Sequence, residues 1–246
     1  AGVEGDRELY HDLLWIVAAR TWWASPGPQT RQLVVDAANR AGPPGADPRL
    51  ISIHAYAHPY ANAAAVCKGV SDAARSVTGT RPTGYLASAG MVVGAFHDSL
   101  RACGIAIESA RAEGRLGVLP RLLATQAILA VRLPKWDIAI PAAEEARRLA
   151  TELGQPIWLA TAETAVAMIA AFRGDPAATE LATARAEQLA LPLGATHIVA
   201  LAQSGPVVSA LAHGHHDEAL RISERLFDPR DPAHHLHFAC MGIGDL

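Results

Sequence analysis

The sequence predicts an all-α fold, an α-solenoid in which antiparallel helical hairpins stack side by side. Two series of helix-breaking residues are the first indication. Three glycines lie 40 positions apart, at Gly114, Gly154 and Gly194. A second series keeps this spacing but is offset by half a period: Gly94, Pro134, Gly174 and Gly214. Because glycine and proline interrupt helices, the two series divide the chain into paired helical segments.

Alanines keep the same register in the second segment of each pair. They recur as Ala102, Ala142 and Ala182; Ala106, Ala146 and Ala186; Ala110, Ala150 and Ala190. Small residues at i, i+4 and i+8 share one helix face and allow another helix to approach closely. The first segments match as well, at Ile128, Met168 and Val208 and at Ala130, Ala170 and Ala210. One hairpin of a tetratricopeptide (TPR)-like kind is therefore predicted to recur about three times.

Composition limits the classes of protein. A chain of 246 residues, 50% hydrophobic and 18% charged, can form one large domain or a stacked array. Its net charge of -3 provides no basic surface for phosphate backbones, which argues against direct nucleic-acid binding by this segment. The cysteines, Cys67, Cys103 and Cys240, are distant from one another and odd in number, as is typical of the reducing cytoplasm. We therefore expect a cytoplasmic protein.

One uncharged stretch, residues 188–216, has the composition of a membrane span but not its pattern. It contains Gly194, Gly205 and Pro206, and it falls in register with two ordinary helices. We interpret it as a buried part of the stack and expect no association with a membrane.

Residues 1–93 are predicted to be the irregular part of a single helical-repeat domain that covers residues 1–246. The first helix is expected over residues 6–24, where Leu9, Leu13, Ile16 and Val17 have helical spacing. Further helices are expected over residues 29–40, from Asp47 to His58, 61–76 and 83–93. Asp47 and Pro48 are an N-cap followed by a first-turn proline.

Residues 94–246 are predicted to hold the regular repeats. First helices are expected over residues 116–132, 157–173 and 195–212, and second helices over 135–153, 175–193 and 215–226. Pro141 and Pro206 lie inside these patterns, so a late start, a kink or a break is expected there. Residues 233–246 resemble the opening of another helix with no closing partner, which suggests a piece of a longer chain.

Motifs for covalent chemistry and for cofactors are not evident in the sequence. It contains neither the phosphate-binding pattern G-x-x-x-x-G-K-[ST] nor G-x-G-x-x-G. Ser88 lies in the segment LASAG, which lacks the first glycine of a nucleophile elbow. The sequence therefore predicts a protein that is not an enzyme and that has no cofactor.

Histidines provide the alternative of a metal site. His54 and His58 are four residues apart, which places two imidazoles on one helix face, but no third ligand is evident nearby. Two further groups could meet around a metal: His213, His215 and His216, and His234, His235 and His237. Structural or surface histidines are the favoured interpretation, and no metal is predicted.

Several segments resemble the middle TPR-like region of large ATP-binding LuxR-family (MalT-like) transcriptional regulators of actinomycetes. They are EGRLGVLP at 113–120, KWD at 135–137, AAEEARRLA at 142–150, DPRL at 47–50, AYA at 55–57 and FDPRDPAH at 227–234. Two places depart from the family pattern: Leu133-Pro134-Lys135, where a Gly-Asp turn is usual, and Gly205-Pro206. The resemblance implies a sensor or scaffold between a nucleotide-binding module and a DNA-binding helix-turn-helix, both outside this chain.

The favoured hypothesis is a non-enzymatic region that binds an effector or a protein partner and relays that event to a DNA-binding domain. Polar residues of the first helices are the candidate contacts, because the first helices commonly line the concave face of a solenoid. They are Arg121, Gln126, Glu163, Thr164, Gln203 and Ser204. The alternatives are a small-molecule sensor with a pocket beside the Trp-rich N-terminal helices, and a His-dependent helical metalloenzyme. Homo-oligomerisation stays open.

Overall fold

The computed structural model describes residues 2–45, 47–235 and 237–238. All regular secondary structure within these residues is helical, which confirms the all-α prediction. By its contacts the chain divides into two compact units. Unit 1 comprises Ala1–Trp22 and Pro26–Leu116, and unit 2 comprises Trp23–Ser25 and Gly117–Leu246. The single domain expected from the sequence stays a prediction.

The helices of unit 1 precede residue 113. They are α1 (Gly2–Ala24, whose last two residues belong to unit 2), α2 (Pro28–Ala41), α3 (Pro48–Ala57), α4 (Ala63–Ala73), α5 (Thr80–Val93) and α6 (Phe96–Ala112). Asp47 caps α3 as predicted, since its side chain accepts a hydrogen bond from the Arg49 N–H and Pro48 opens the helix. Helix α3 packs against α2, α4 and α5, and α5 packs against α6.

The helices of unit 2 follow a short 3-10 helix at Leu116–Val118. They are α7 (Leu119–Arg132), α8 (Trp136–Glu152), α9 (Pro156–Phe172), α10 (Pro176–Ala190), α11 (Thr196–Ala202), α12 (Ser204–Ala212) and α13 (His216–Glu224). A second 3-10 helix, Leu191–Leu193, follows α10. Helix α9 contacts both α7 and α8 before it and α10, α11 and α12 after it. It is therefore the central element of unit 2.

Helices end at the residues of the two breaker series, where the backbone adopts a left-handed conformation. The glycines of both series have φ between 60° and 84°. Side chains with a Cβ rarely adopt such values, which explains why glycine recurs at these positions. Pro134 occupies one of them with φ 27°, far from the value of about -65° that its ring favours. The backbone at Pro134 is strained.

The alanines of the recurring stripe are all buried. Each of the nine has at most 4% of its surface exposed: Ala102, Ala106, Ala110, Ala142, Ala146, Ala150, Ala182, Ala186 and Ala190. Their small size allows helix backbones to lie close together, because no longer side chain separates them. The same packing position is therefore used in α6, α8 and α10.

The two prolines inside helical patterns have different effects. Helix α8 runs through Pro141 without interruption. Near Pro206 the helix expected over residues 195–212 is divided into α11 and α12 at Gln203. Pro206 has no N–H to donate to the carbonyl of Ala202, four residues earlier. This interruption also divides the uncharged stretch, and no helix among the described residues is long and apolar enough to cross a bilayer.

Helix α1 exposes the residues whose spacing predicted it. Leu9, Leu13, Ile16 and Val17 keep 50 to 58% of their surface in solvent. The opposite face, which includes the small Ala18, is buried. The orientation of α1 against α3 is fixed by polar contacts, which acidic side chains of α1 make with a buried arginine at the start of α3.

Arg49 at the start of α3 makes these contacts. It is 8% exposed and donates to Asp12 Oδ1 at 2.8 Å and to Glu8 Oε2 at 2.7 Å. Asp47 Oδ2 lies 3.6 Å from its guanidinium. The hydrogen bond from Arg49, together with the charges of Arg49 and Arg81, lowers the pKa of Asp12 despite the opposing effect of burial.

The stability of unit 1 is expected to depend on the ionisation of Asp12. A folded-state pKa below the unfolded value of about 3.9 means that folding is favoured above that pH. This contribution is lost as the pH falls through the lower, folded-state pKa. Urea unfolding, followed by circular dichroism at a series of pH values between about 6 and 2, measures this dependence. In the Asp12→Asn variant the free energy of unfolding should fall less steeply as the pH is lowered.

The control for this experiment is Asp36→Asn, which removes a carboxylate that accepts only from Gln32 among the described residues. In this variant the free energy of unfolding should depend on pH as steeply as in the unmodified protein. Equal slopes for the Asp12→Asn and Asp36→Asn variants would contradict the assignment to Asp12.

Candidate functional site

The six candidate contact residues differ in their accessibility. Arg121, Gln126 and Ser204 are half-buried, whereas Glu163, Thr164 and Gln203 are buried. The Thr164 hydroxyl donates to the carbonyl of Ala160 in its own helix, at 3.1 Å. Thr164 therefore contributes to the interior of α9. Glu163 and Gln203 each lie in a polar network between helices.

Glu163 is a buried carboxylate held between arginines of α8 and α10. Only 3% of its surface is exposed. Arg147 Nε donates to Glu163 Oε1 at 3.0 Å, and Arg185 Nη1 lies 3.8 Å from the same oxygen. A buried carboxylate requires such partners, because desolvation of an unpaired charge is costly. This network ties α9 to the helices on both sides.

Gln203 has the equivalent position 40 residues later. Its amide nitrogen donates to Glu187 Oε1 at 2.7 Å, and its oxygen accepts from Arg225 Nη1 at 2.8 Å. Arg225 Nε also donates to Asp231 Oδ2 at 3.0 Å. Burial alone would raise the pKa of Asp231, but hydrogen bonds from Arg225 and the Ala233 N–H lower it below its ordinary value. The break between α11 and α12 is thus anchored on both sides.

The residues of the two networks occupy positions that are 40 residues apart in the sequence. Arg147 and Glu187 are equivalent, as are Glu163 and Gln203, and Arg185 and Arg225. One period earlier the first two positions hold Ile107 and Leu123, and both are buried. In unit 2 the equivalent location is thus filled once by an ion pair and once by an amide with charged neighbours. The four partners Arg147, Arg185, Glu187 and Arg225 were not predicted from the sequence, although this register could have indicated them.

A charged groove opens beside Glu163. It has a volume of about 690 Å³ and is lined by α8, α9 and α10. Its charged side chains are Arg147, Arg148, Arg185, Glu144, Glu152 and Glu163. Acidic and basic groups are balanced in number, and Arg148 pairs with Glu152 across one helical turn at 3.1 Å. The groove therefore has no net preference for a ligand of one charge.

An apolar cleft opens beside Gln203 and Ser204. It has a volume of about 390 Å³ and is lined by the ends of α7 and α9, by α11, α12 and α13, and by Phe238. Its apolar side chains include Val131, Met168, Phe172, Val207, Val208, Leu211 and Leu226. Among the described residues of this lining, Arg132 is the charged one. Gln203 and Ser204 thus line the apolar cleft, and Glu163 lines the charged groove. Arg121 and Gln126 line neither of these two.

The tryptophans near the N-terminus are engaged by neighbouring groups. Trp23 stacks on His197, with ring centroids 5.4 Å apart, and meets Trp158 edge-on at 5.9 Å. Its carbonyl accepts a hydrogen bond from Thr196. In unit 1, the Trp15 indole donates to Ser52 at 3.1 Å. These rings contribute to packing within each unit.

His54 is occupied by two protein groups. Its Nε2 lies 2.6 Å from the Gly42 carbonyl, which can only accept, so Nε2 carries the proton. Its Nδ1 then accepts from the Asn62 amide at 3.1 Å. Helix α3 ends at Ala57 and His58 is exposed beyond it, so His54 is a buried structural histidine and His58 lies on the surface.

The other histidine groups also make local contacts. His213 Nδ1 donates to the Ser209 carbonyl at 2.8 Å, and His234 Nδ1 to the Leu226 carbonyl at 2.9 Å. Within the described part of the chain, no three His, Cys, Asp or Glu side chains are arranged to hold a metal ion.

The fold and these two clefts define an all-α protein with concavities between the helices of unit 2. Comparison with protein-family models, with curated proteins and with solved structures gives no match.

Proposed function

We propose that this chain is the TPR-like, α-solenoid region of a LuxR-family (MalT-like) transcriptional regulator. In this proposal it binds an effector or a protein partner without catalysing a reaction. The binding event is relayed to a DNA-binding domain outside this chain.

The recurring inter-helix network is the observation that carries the proposal. Equivalent positions in successive hairpins, Glu163 and then Gln203, each join a first helix to the helices before and after it. Solenoids are built from such neighbour contacts, and a ligand that alters one contact affects the next repeat. A stack of this kind suits a relay between distant domains.

The lining of the clefts supports binding rather than a purely structural role. The positions that join helices keep their register, while one cleft of unit 2 has a charged lining and the other an apolar one. Repeat proteins acquire specificity by such variation on a constant scaffold. Within the proposal, Arg121, Gln126 and Ser204 are contacts, while Glu163 and Gln203 shape the clefts.

The natural reading frame around this segment tests the class of protein. A nucleotide-binding motif upstream and a helix-turn-helix downstream are expected. A frame that encodes neither would overturn the assignment to a LuxR-family regulator.

A thermal-shift screen of candidate metabolites tests the sensor role. A ligand at 100 times its dissociation constant stabilises the folded state by about 2.7 kcal/mol. For a chain of this size the melting temperature should rise by roughly 5–10 °C. A protein partner without a small effector would instead leave every melting temperature unchanged and would be found by co-purification.

A further inference from the structure

Another cleft of unit 2 opens between α10, α12 and α13. Its volume of about 420 Å³ lies within the usual range for ligand pockets, which is about 300–1,000 Å³. Its apolar walls include Pro206, Ala210 and Ile222. Exposed charged side chains and buried hydroxyl groups complete the lining, so the cleft has a polar rim and a polar inner end.

The 40-residue register explains why this space is open. One repeat earlier, Trp136 at the start of α8 packs against Phe172 at the end of α9, with ring centroids 5.3 Å apart. The equivalent positions at the start of α10 and the end of α12 hold Pro176 and Ala212. Pro176 lines the cleft. The smaller pair therefore leaves open the space that two aromatic rings occupy one repeat earlier.

Two buried hydroxyl groups lie at the inner end of the cleft. Thr183 and Ser209 are each 7% exposed, and the register matches them to the apolar Ala143 and Ile169. Neither hydroxyl has a hydrogen-bond partner among the described residues. A buried hydroxyl without a partner costs free energy, so packing alone does not account for these two residues. A hydroxyl group of a ligand would satisfy both.

The rim of the cleft is acidic and accepts hydrogen bonds. Glu180 forms no ion pair with a described residue, whereas Glu218 lies 3.5 Å from Arg221 and 3.9 Å from His215. His213 Nδ1 donates to the carbonyl four residues earlier, which leaves Nε2 of the neutral ring as an acceptor. An ammonium group, which has three donors and no acceptor, matches a carboxylate beside such an imidazole.

We infer that this cleft binds a small aliphatic amino alcohol, with its ammonium group at Glu180 and His213 and its hydroxyl group at Thr183 and Ser209. The alkyl chain between the two groups lies against the apolar walls. The inference rests on the proposed sensor function and specifies the chemical class of its effector.

Isothermal titration calorimetry of the full chain with aminohexanol, whose amine and hydroxyl groups are at opposite ends, tests the inference. Three matched probes each change one group: hexylamine lacks the hydroxyl, hexanediol lacks the charge and hydroxyhexanoate reverses it. Aminohexanol is expected to bind with one-to-one stoichiometry and more tightly than any of the three, because it alone satisfies both ends of the cleft.

Single substitutions separate the two ends of the ligand. Glu180→Gln should weaken aminohexanol about tenfold, since a charge-assisted hydrogen bond is lost, and should leave hexanediol within about twofold. Thr183→Val should lower the affinity for aminohexanol towards that for hexylamine and leave hexylamine itself unchanged. The control is Glu224→Gln, which removes an exposed carboxylate of α13 outside the cleft and should leave every affinity within about twofold.

A double substitution locates the site. Pro176→Trp combined with Ala212→Phe restores the aromatic pair of the preceding repeat and should abolish binding of aminohexanol by filling the cleft. Circular dichroism verifies that this variant folds, and the single substitutions test the same site if it does not.

The inference would be overturned by a lack of aminohexanol binding, or by hydroxyhexanoate or hexylamine binding as tightly as aminohexanol. Binding that Glu180→Gln and Thr183→Val leave unchanged would also overturn it. Failure with aminohexanol is distinguishable from failure of the proposed function, because the reading frame and the metabolite screen test that function separately.

Discussion

Replacement of Arg147 by isoleucine is expected to lower the free energy of unfolding by about 1–3 kcal/mol. Arg147 donates the short hydrogen bond to Glu163, which is 3% exposed. Without it, the nearest cation is Arg185, 3.8 Å away. Removal of Arg147 leaves the buried carboxylate with Arg185 alone, which lies beyond hydrogen-bond distance, and the lost hydrogen bond costs more than the intact pair contributes. Urea unfolding followed by circular dichroism measures the change.

A second substitution, Glu163→Leu, is expected to restore most of this stability. The combination of isoleucine and leucine is the one that the chain itself has one period earlier, at Ile107 and Leu123. Replacement of a buried ion pair by apolar residues of similar volume is often neutral or stabilising. The double variant should therefore be close to the unmodified protein, and the double-mutant cycle should show strong coupling.

Arg148→Ile is the matched control for this series. Arg148 is exposed on the same helix and, of the residues that the structure describes, pairs with Glu152 alone. Its loss should therefore change the free energy of unfolding by less than about 1 kcal/mol. If Arg147→Ile costs no more than Arg148→Ile, the Glu163 network does not stabilise unit 2 in the way described.

Gly90→Ala is expected to destabilise unit 1 by about 1–3 kcal/mol. An ideal Cβ at this position would lie 2.8 Å from Ser99 Cβ and 3.1 Å from the Ala95 carbonyl oxygen. Neither atom is at the end of a flexible side chain, so α5 and α6 would have to separate. Alanine is the better helix former by roughly 1 kcal/mol, but this steric cost outweighs the gain.

Gly104→Ala, in α6, is expected to increase the free energy of unfolding instead. Nothing lies within 4 Å of a Cβ added there. Only the helix propensity changes, so the variant should gain about 0.5–1 kcal/mol. The midpoints of urea unfolding for the two glycine variants should therefore shift in opposite directions. A shift in the same direction would show that α5 and α6 do not pack closely at Gly90.

The helices could be predicted largely because their ends are encoded locally. Glycines with left-handed backbone recur at fixed spacing, and Asp47 with Pro48 opens α3. The break at Gln203 was harder to place, since the missing N–H of Pro206 acts one turn upstream. Pro141 lies six residues into α8, so its missing hydrogen bond falls at the start of the helix and the helix continues.

The candidate site was only partly predictable for a different reason. Glu163 and Gln203 are polar residues on first helices, and periodicity alone places them without showing what covers them. Their burial depends on Arg147 and Arg225, which come from other helices. The orientation of α1 was likewise set by Arg49, a residue of another helix. Contacts between elements, rather than patterns within one, decide accessibility.

The exposed apolar side of α1 has a practical consequence for experiments in solution. An exposed apolar strip of α1 can adsorb the alkyl chains of amphiphiles or a second molecule of the protein. It consists of Leu9, Leu13, Ile16 and Val17. Precipitating salts such as ammonium sulfate strengthen such adsorption, whereas moderate urea weakens it. Colloidal behaviour of the purified protein should therefore vary with the choice of buffer salt, and Leu13→Glu offers a better-behaved background for calorimetry.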